Sequence, residues 1–428
     1  MRMVLRQMKH IAKASVILNV AVVAFFSVEF LATRLRLTQS VSSIQAEKAA
    51  AVARSNDGGS SQLENTFKES CDDPKKVLMF GMKQHWLKFC KFEGMSHFRY
   101  LVNFPREIKC PGLPCKVHLN YSEDPKDLRG ADIVTFANVY DWLTPEMWGW
   151  AHGNRTKGQT WAMISLDSPL YVPGFRPPEQ YNSITYNMFA SYKLDSDVYL
   201  PYGFFQKYDK PVEVDLKQFW TPKDKMISWI SSNCDTIQWD RHKFVSDMKA
   251  AIQVDKYGSC GDAVIPWNDD KAMKDALRRY KFYLSLENSC CDDYITEKFW
   301  RALDLGVVPI VVGATYDQYL SIAPPHSFIH VDQFGSLAEL SSHLTFLASD
   351  ESQYLEYFKW RQSGKIVTHS LEEQYVTPLM NSTYCAILDK YLKTTTEDRG
   401  KFFNYQDAKW IGSCRDCGVK WIKSYMKH

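Results

Sequence analysis

The sequence predicts two consecutive α/β domains. Three observations carry this. Residues 281–313 read as strand, polar loop, helix and buried strand, the βαβ unit that joins parallel strands. Residues 226–231, 252–257 and 326–331 repeat the apolar strand pattern around that unit, and residues 77–80, 131–136 and 160–165 repeat it upstream. A chain of 428 residues has the length for two or three domains, and 45% hydrophobic against 24% charged residues supply a sizeable core.

Within 281–313 the first run alternates and is rich in aromatic and aliphatic residues, as a buried strand should be. Ile295, Phe299, Ala302 and Leu303 then recur at helical spacing, and Gly306 stands where a C-cap glycine belongs. Residues 307–312 are a continuous apolar run ended by Gly313, which suits a parallel strand buried on both faces. In open α/β sheets ligands bind beyond the carboxyl ends of strands, where helix N-termini offer free N–H groups to anions. Glu287 and Asn288 end the strand, and Tyr294, Glu297 and Lys298 lie in the loop and first helical turn. A carboxylate able to hold ribose hydroxyls beside an ammonium able to hold phosphate is what a nucleotide-sugar pocket needs. The competing reading is a capped, solvated helix start, since Asp292 and Asp293 favour the helix dipole.

The chain divides further on composition. Residues 1–13 carry Arg2, Arg6, Lys9 and Lys13, and residues 14–33 are largely apolar, with Asn19 and Glu29 as blemishes. We expect a cytoplasmic tail at 1–13 and a retained transmembrane signal anchor at 14–33, the basic flank staying inside. A signal peptide cleaved after Phe30-Leu31-Ala32 is the alternative. Residues 34–70, rich in Ala, Ser, Gln and Gly, read as a flexible stem. An N-terminal α/β domain is expected over 71–210, a C-terminal one over 211–363, and a tail packing back on the N-terminal domain over 364–428. The net charge of +3 leaves no nucleic-acid footprint.

All eleven cysteines follow Ser70, a density that reads as disulfides in a lumenal compartment, with at least one thiol left over. Cys414-Arg-Asp-Cys417 is a CxxC motif without the second pair that a zinc site needs. Asn120, Asn154 and Asn381 open glycosylation sequons, which fits the same compartment.

Four ordered blocks sharpen the reading. FYLSLENSCCDDYITEKFW closely resembles the signature of the α1,3-fucosyltransferases, glycosyltransferase family 10. WAMISLDSPLYVPG, SYKLDSDVYLPYG and ISWISSNC followed by Arg241 resemble further segments of that family in the same order. The resemblance implies a GT-B architecture, two Rossmann-like domains facing across a cleft, behind a single transmembrane anchor and stem in the Golgi membrane. It implies GDP-fucose as donor and an inverting transfer of L-fucose to a GlcNAc or Glc hydroxyl of a glycoprotein or glycolipid glycan. Such a transfer needs a base for the attacking hydroxyl and cations for the leaving diphosphate. Asp167 would be the base, where the family usually has Glu. Arg241 and Lys298 would neutralise GDP, and Tyr257, Glu287, Asn288, Tyr294 and Glu297 would position it. The resemblance also implies that the tail cysteines pair, one reaching back to the start of the N-terminal domain, with Cys71, Cys110, Cys115, Cys414 and Cys417 as candidates.

Asp195-Ser-Asp197 has the spacing by which two carboxylates bridge a hard cation to a diphosphate. In the resembling family this segment is not the metal site, so structural use is the preferred reading and no metal is required, divalent Mn or Mg staying open as a stimulant. The family's second Arg in this segment is Leu194 here, while Lys193 keeps the first charge. The alternatives are a protein O-fucosyltransferase, another GDP-sugar transferase of the same fold, a metal-dependent enzyme using Asp195 and Asp197, or an inactive lumenal glycan-binding protein. Acceptor choice falls to loops within 90–147.

Overall fold

The computed structural model describes residues 71–426 apart from 72, 81–104, 123, 138–143, 172–176, 235–236, 266–269, 369–372, 395–402, 405 and 418–420. The expected cytoplasmic tail, anchor and stem, Cys90 and much of the expected acceptor region lie outside these residues. Among the described residues no helix is long and apolar enough to cross a membrane.

Strands β1 (Lys75–Phe80), β2 (Arg106–Lys109), β3 (Lys116–Ser122), β4 (Ile133–Ala137) and β5 (Thr160–Ser165) build the first sheet. It is continued by β7 (Met188–Ser191) and β8 (Val198–Tyr199), while the short β6 (Thr185–Tyr186) lies outside it. The order is β2-β3-β1-β4-β5-β7-β8, parallel except for the edge pair β2/β3. Every residue of β5 is buried, as expected for a parallel strand covered on both faces. One face packs Val77, Val117, Ile133 and Ile164 into a core with the tail residues Ile387 and Leu388. The other gathers Phe80, Phe136, Trp148, Trp161 and Tyr186. Helix α1 (Pro145–Asn154) closes that second face, with Thr144 capping it and Pro145 at its first turn.

β9 (Gly203–Lys207) leads to the second sheet: β10 (Lys225–Ile230), β11 (Val254–Tyr257), β12 (Tyr280–Leu286), β13 (Val308–Val312) and β14 (Ile329–His330). Its order is β11-β10-β12-β13-β14 and every pair is parallel. The strand expected over 326–331 shrinks to two residues, because His326 has φ +50° and the His330 ring accepts from the Asp332 N–H to start a 3-10 turn. Helix α2 (Arg241–Ala251) follows β10 and is capped by Asp240. Helix α3 (Glu297–Asp304) joins β12 to β13, with Phe299, Trp300, Ala302 and Leu303 buried. Gly306 ends it at φ +70°, a conformation that glycine enters without the usual side-chain clash.

The tail corrects the expectation that it belongs with the first domain alone. Helix α4 (Glu373–Lys393) does pack on the first sheet, and Cys385 on it pairs with Cys110. β15 (Gly364–Thr368) pairs with β9 and β16 (Phe403–Asn404) with β6. The chain then crosses over: Cys417, Ile422 and Tyr425 enter the core of the second sheet, and Trp239 bridges Met426. Cys417, Ile422 and Tyr425 are buried there with Trp239 and Phe244, the Tyr425 ring 5.5 Å from that of Phe244.

Candidate functional site

The two sheets meet where the β12–α3 loop, residues 287–296, runs against the chain following β5. Ser289 Oγ lies 2.5 Å from Ser168 Oγ and 2.7 Å from Asn288 Oδ1. The Leu194 N–H donates to Asp293 Oδ2 at 3.1 Å, and Asp293 sits at φ +61°. A non-glycine residue in the left-handed region costs on the order of 1 kcal/mol or more, and here the carboxylate's bond across the junction opposes that cost. The contact uses the backbone of residue 194, so Leu serves there without the family's Arg side chain.

Asp167 lies at the carboxyl end of β5, half-buried. Its Oδ1 accepts from the Tyr294 hydroxyl at 3.1 Å, and its Oδ2 has no protein partner among the described residues. Burial pushes the carboxyl above the ordinary Asp value; the Tyr294 bond and Lys298 pull the other way, and Glu297 adds to the rise. That combination, one oxygen held, one open and an elevated proton affinity, is what a general base requires.

Glu287 is corrected. It is fully buried rather than open to a ligand, with Oε1 accepting from the Thr296 N–H at 2.8 Å and both oxygens 2.9 Å from Thr296 Oγ1. It fastens the first turn of α3, and burial raises its pKa. Gly313 permits this: a Cβ there would come within 2.8 Å of Glu287 Cγ.

Lys298 sits between carboxylates, its Nζ 2.8 Å from Thr296 Oγ1 and 3.3 Å from both Glu287 Oε2 and Glu297 Oε1. Burial works against the ammonium, yet Glu287 and Glu297 together hold its pKa above the usual lysine range. Lys298 donates to Thr296 Oγ1 and Glu287 Oε2 and pairs with Glu297, so it reaches a ligand mainly through its charge. Glu297 is partly exposed; burial favours its neutral form, but Lys298 and Arg301 lower it to about 2.

Arg241 opens α2 at the carboxyl end of β10 and is only 4% exposed. One Nη donates to Asn233 O at 3.0 Å, and its remaining N–H groups have no partner among the described residues. Burial lowers its pKa, opposed by Glu287, Tyr294 and Tyr171 nearby. A buried guanidinium with unspent donors needs an anion. Asn288, 8% exposed, follows the end of β12 and lies 2.7 Å from Ser289 Oγ.

Two more expectations change. Tyr294 is not on the cleft wall; it is buried in the aromatic core of the first domain. Tyr257 commits its hydroxyl to Tyr280 Oη at 2.7 Å, in a network with Asp255 and Lys225 that starts at the amino end of the sheet. In that network the Tyr280 hydroxyl donates to Asp255, which also pairs with Lys225 at 2.8 Å. Asp195 pairs with Lys193 at 3.6 Å, and Asp197 pairs with Lys390 at 3.3 Å and accepts from the Phe189 N–H, so both carboxylates have structural partners. Asn120 lies in β3, Asn154 ends α1 and Asn381 lies in α4.

Ten cysteines form five disulfides among the described residues: Cys71–Cys115, Cys110–Cys385, Cys234–Cys260, Cys290–Cys417 and Cys291–Cys414. The partners Cys385, Cys290 and Cys291 escaped sequence reading, because spacing does not encode connectivity. So did Gln238, whose Oε1 accepts from the Cys290 N–H at 2.7 Å and whose Nε2 donates to Arg415 O. Arg415 in turn donates to Gly313 O at 3.2 Å and lies 3.4 Å from Asp292. The only sequence signal for this strap was the adjacency of Cys290 and Cys291 facing a CxxC.

A carboxylate at the carboxyl end of one sheet, with a buried guanidinium and an ammonium beyond the strand ends of the other, is a set of groups that an α/β glycosyltransferase can use. The family comparison narrows that class. The model "Glycosyltransferase family 10 (fucosyltransferase) C-term" matches residues 220–407, and "Fucosyltransferase, N-terminal" matches residues 75–203. A Caenorhabditis elegans protein named alpha-(1,3)-fucosyltransferase fut-6 is 32% identical over 332 residues, 74% of this chain and 78% of that protein. A chimpanzee (Pan troglodytes) 4-galactosyl-N-acetylglucosaminide 3-alpha-L-fucosyltransferase is 36% identical over 49% of this chain, a match that spans 56% of the relative. A solved α1,3-fucosyltransferase with GDP-fucose aligns with 79% of this chain and 95% of its own, at 14% identity and TM-score 0.45, a likeness too slight to bear on any residue. The chain belongs to glycosyltransferase family 10, the fucosyltransferases.

Proposed function

We propose that this protein is an inverting α1,3-fucosyltransferase that moves L-fucose from GDP-fucose to a GlcNAc or Glc hydroxyl of a glycoprotein or glycolipid glycan. The observation that carries the reading is a half-open Asp167 carboxylate that feels the charge of Lys298, with Arg241 buried and under-partnered beyond the end of β10. The acceptor hydroxyl gives its proton to Asp167 Oδ2 as its oxygen bonds to the anomeric carbon from one side. The bond from that carbon to the diphosphate breaks on the other side, and the leaving charge meets Arg241 directly and Lys298 through its field. Asn288 and Glu297 border the same end of the sheet and orient the nucleotide. No metal enters this scheme, and Mn or Mg would act only as a stimulant.

The GT-B reading, two α/β domains facing across the donor site, is supported by the two parallel sheets and the junction between them. A Golgi lumenal setting behind a type II anchor at 14–33 is supported by that segment's composition and by five disulfides, which persist in oxidising compartments. The test is to incubate the protein with GDP-fucose and a panel of lactosamine, N-glycan core and Ser/Thr peptide acceptors, with and without chelator. Gain of one deoxyhexose on a GlcNAc- or Glc-bearing acceptor, retained in chelator, is the expected result. Labelling of the peptide alone would make it a protein O-fucosyltransferase. No transfer by protein that still binds GDP would indicate a binding protein.

A further inference from the structure

Tyr294 belongs by sequence to the donor-side loop, yet its ring lies in the core of the other domain. It is 1% exposed and packs with Trp148, Trp161 and Trp410, its centroid 4.9 Å from that of Tyr192. The loop is pinned around it: Cys291 is bonded to Cys414, the Tyr294 N–H donates to Cys291 O at 3.2 Å, and Asp293 holds the Leu194 N–H. A phenol so enclosed has no face left for a nucleotide. Its hydroxyl meets one group, Asp167 Oδ1, 127 residues away in the chain.

We propose that Tyr294 is the positioning residue of Asp167, holding one carboxylate oxygen so that the other faces the acceptor hydroxyl. The donor-side loop thereby completes the acceptor-side base, and the base is oriented only while that loop is seated in the first domain. This rests on Asp167 being the base.

The groups facing the carboxylate are Tyr294, Lys298, Glu297, Tyr192 and Tyr202. Tyr202 spends its hydroxyl on Leu166 O, and Tyr192 Oη has no partner among the described residues. Of the three phenols, Tyr294 alone bonds Asp167, and a bond to the charged carboxylate favours ionisation.

The test is steady-state kinetics with GDP-fucose, on the full chain and on Tyr294→Phe, Tyr192→Phe, Asp167→Asn and Tyr294→Phe/Asp167→Asn, with unfolding midpoints in parallel. Tyr294→Phe keeps the ring and the fold. It is expected to lower kcat by about tenfold or more, to leave the KM for GDP-fucose within about twofold, and to move the acid limb of the rate profile to higher pH. The double variant should lose no more than Asp167→Asn alone, since the phenol acts through the carboxylate. Tyr192→Phe should leave the limb in place. A raised donor KM with an unmoved acid limb would make Tyr294 a donor contact and overturn the proposal. Equal effects of Tyr192→Phe would reduce it to packing, with the same consequence. Near-normal transfer by Asp167→Asn would instead remove the base, and the positioning role with it.

Discussion

In the proposed transfer Asp167 takes a proton, and its surroundings make giving up its own proton hard. Burial penalises its charge more than the Tyr294 bond and Lys298 relieve it, so its proton affinity lies above that of an ordinary aspartate. Two results follow with definite sign. Transfer needs the ionised form, so kcat/KM falls as pH drops through the Asp167 pKa, with a midpoint above the ordinary aspartate range in a pH–rate profile. A carboxyl whose pKa is raised on folding costs stability above that pKa and costs nothing once both states are protonated. Asp167→Asn should therefore melt at a higher temperature than the native chain at neutral pH, and the gap should close as pH falls. Asp in place of the family's Glu was legible in the sequence, as was its station at a strand end. Its partner was not, because Tyr294 reaches it through tertiary packing that no local pattern records.

At the scale of elements, the start of α3 is held from below. Glu287 satisfies the Thr296 N–H and Oγ and balances Lys298, all inside the protein. Glu287→Ala would leave the Thr296 N–H without its acceptor and take one of two carboxylates from Lys298. Breaking such a buried pair costs about 3–5 kcal/mol, and denaturant unfolding should show a loss of that order. Glu287→Gln, which keeps an acceptor oxygen, should lose less. A loss under about 1 kcal/mol for the Ala variant would mean that Glu287 is not a fastener.

The βαβ unit itself was legible: β12, α3 and β13 fall within a residue or two of the periodicity in 281–313. Side-chain direction was not. Glu287 and Glu297 are both acidic residues beside the same helix start, and only the packing of Gly313 sends the first inward. Tyr257 misled in the same way, since its strand was plain and its hydroxyl's destination, Tyr280, was set by the neighbouring Asp255.

At the scale of the whole molecule, the site is made by two sheets that the chain ties together several times. β9 pairs with β15, α4 is bonded through Cys385 to the first domain, and the tail is bonded through Cys414 and Cys417 to the donor-side loop. A native disulfide contributes about 2–4 kcal/mol, more for longer closed loops. The last two bonds close loops of 123 and 127 residues and straddle Arg415, which packs on Gly313 O. Cysteine count and compartment were readable from the sequence. The crossing of the tail from one core to the other was not, because apolar residues at 417–426 suit either core equally in composition.

The division of labour between the sheets is the central claim, and one comparison tests it most directly. Transfer from saturating GDP-fucose is measured for the native chain and for Asp167→Asn, with GDP affinity measured on the same samples. The account predicts that Asp167→Asn binds GDP as the native chain does and loses transfer by about 100-fold or more, the usual weight of a general base. Transfer within a few-fold of native, or a loss that tracks weakened GDP binding, would contradict it.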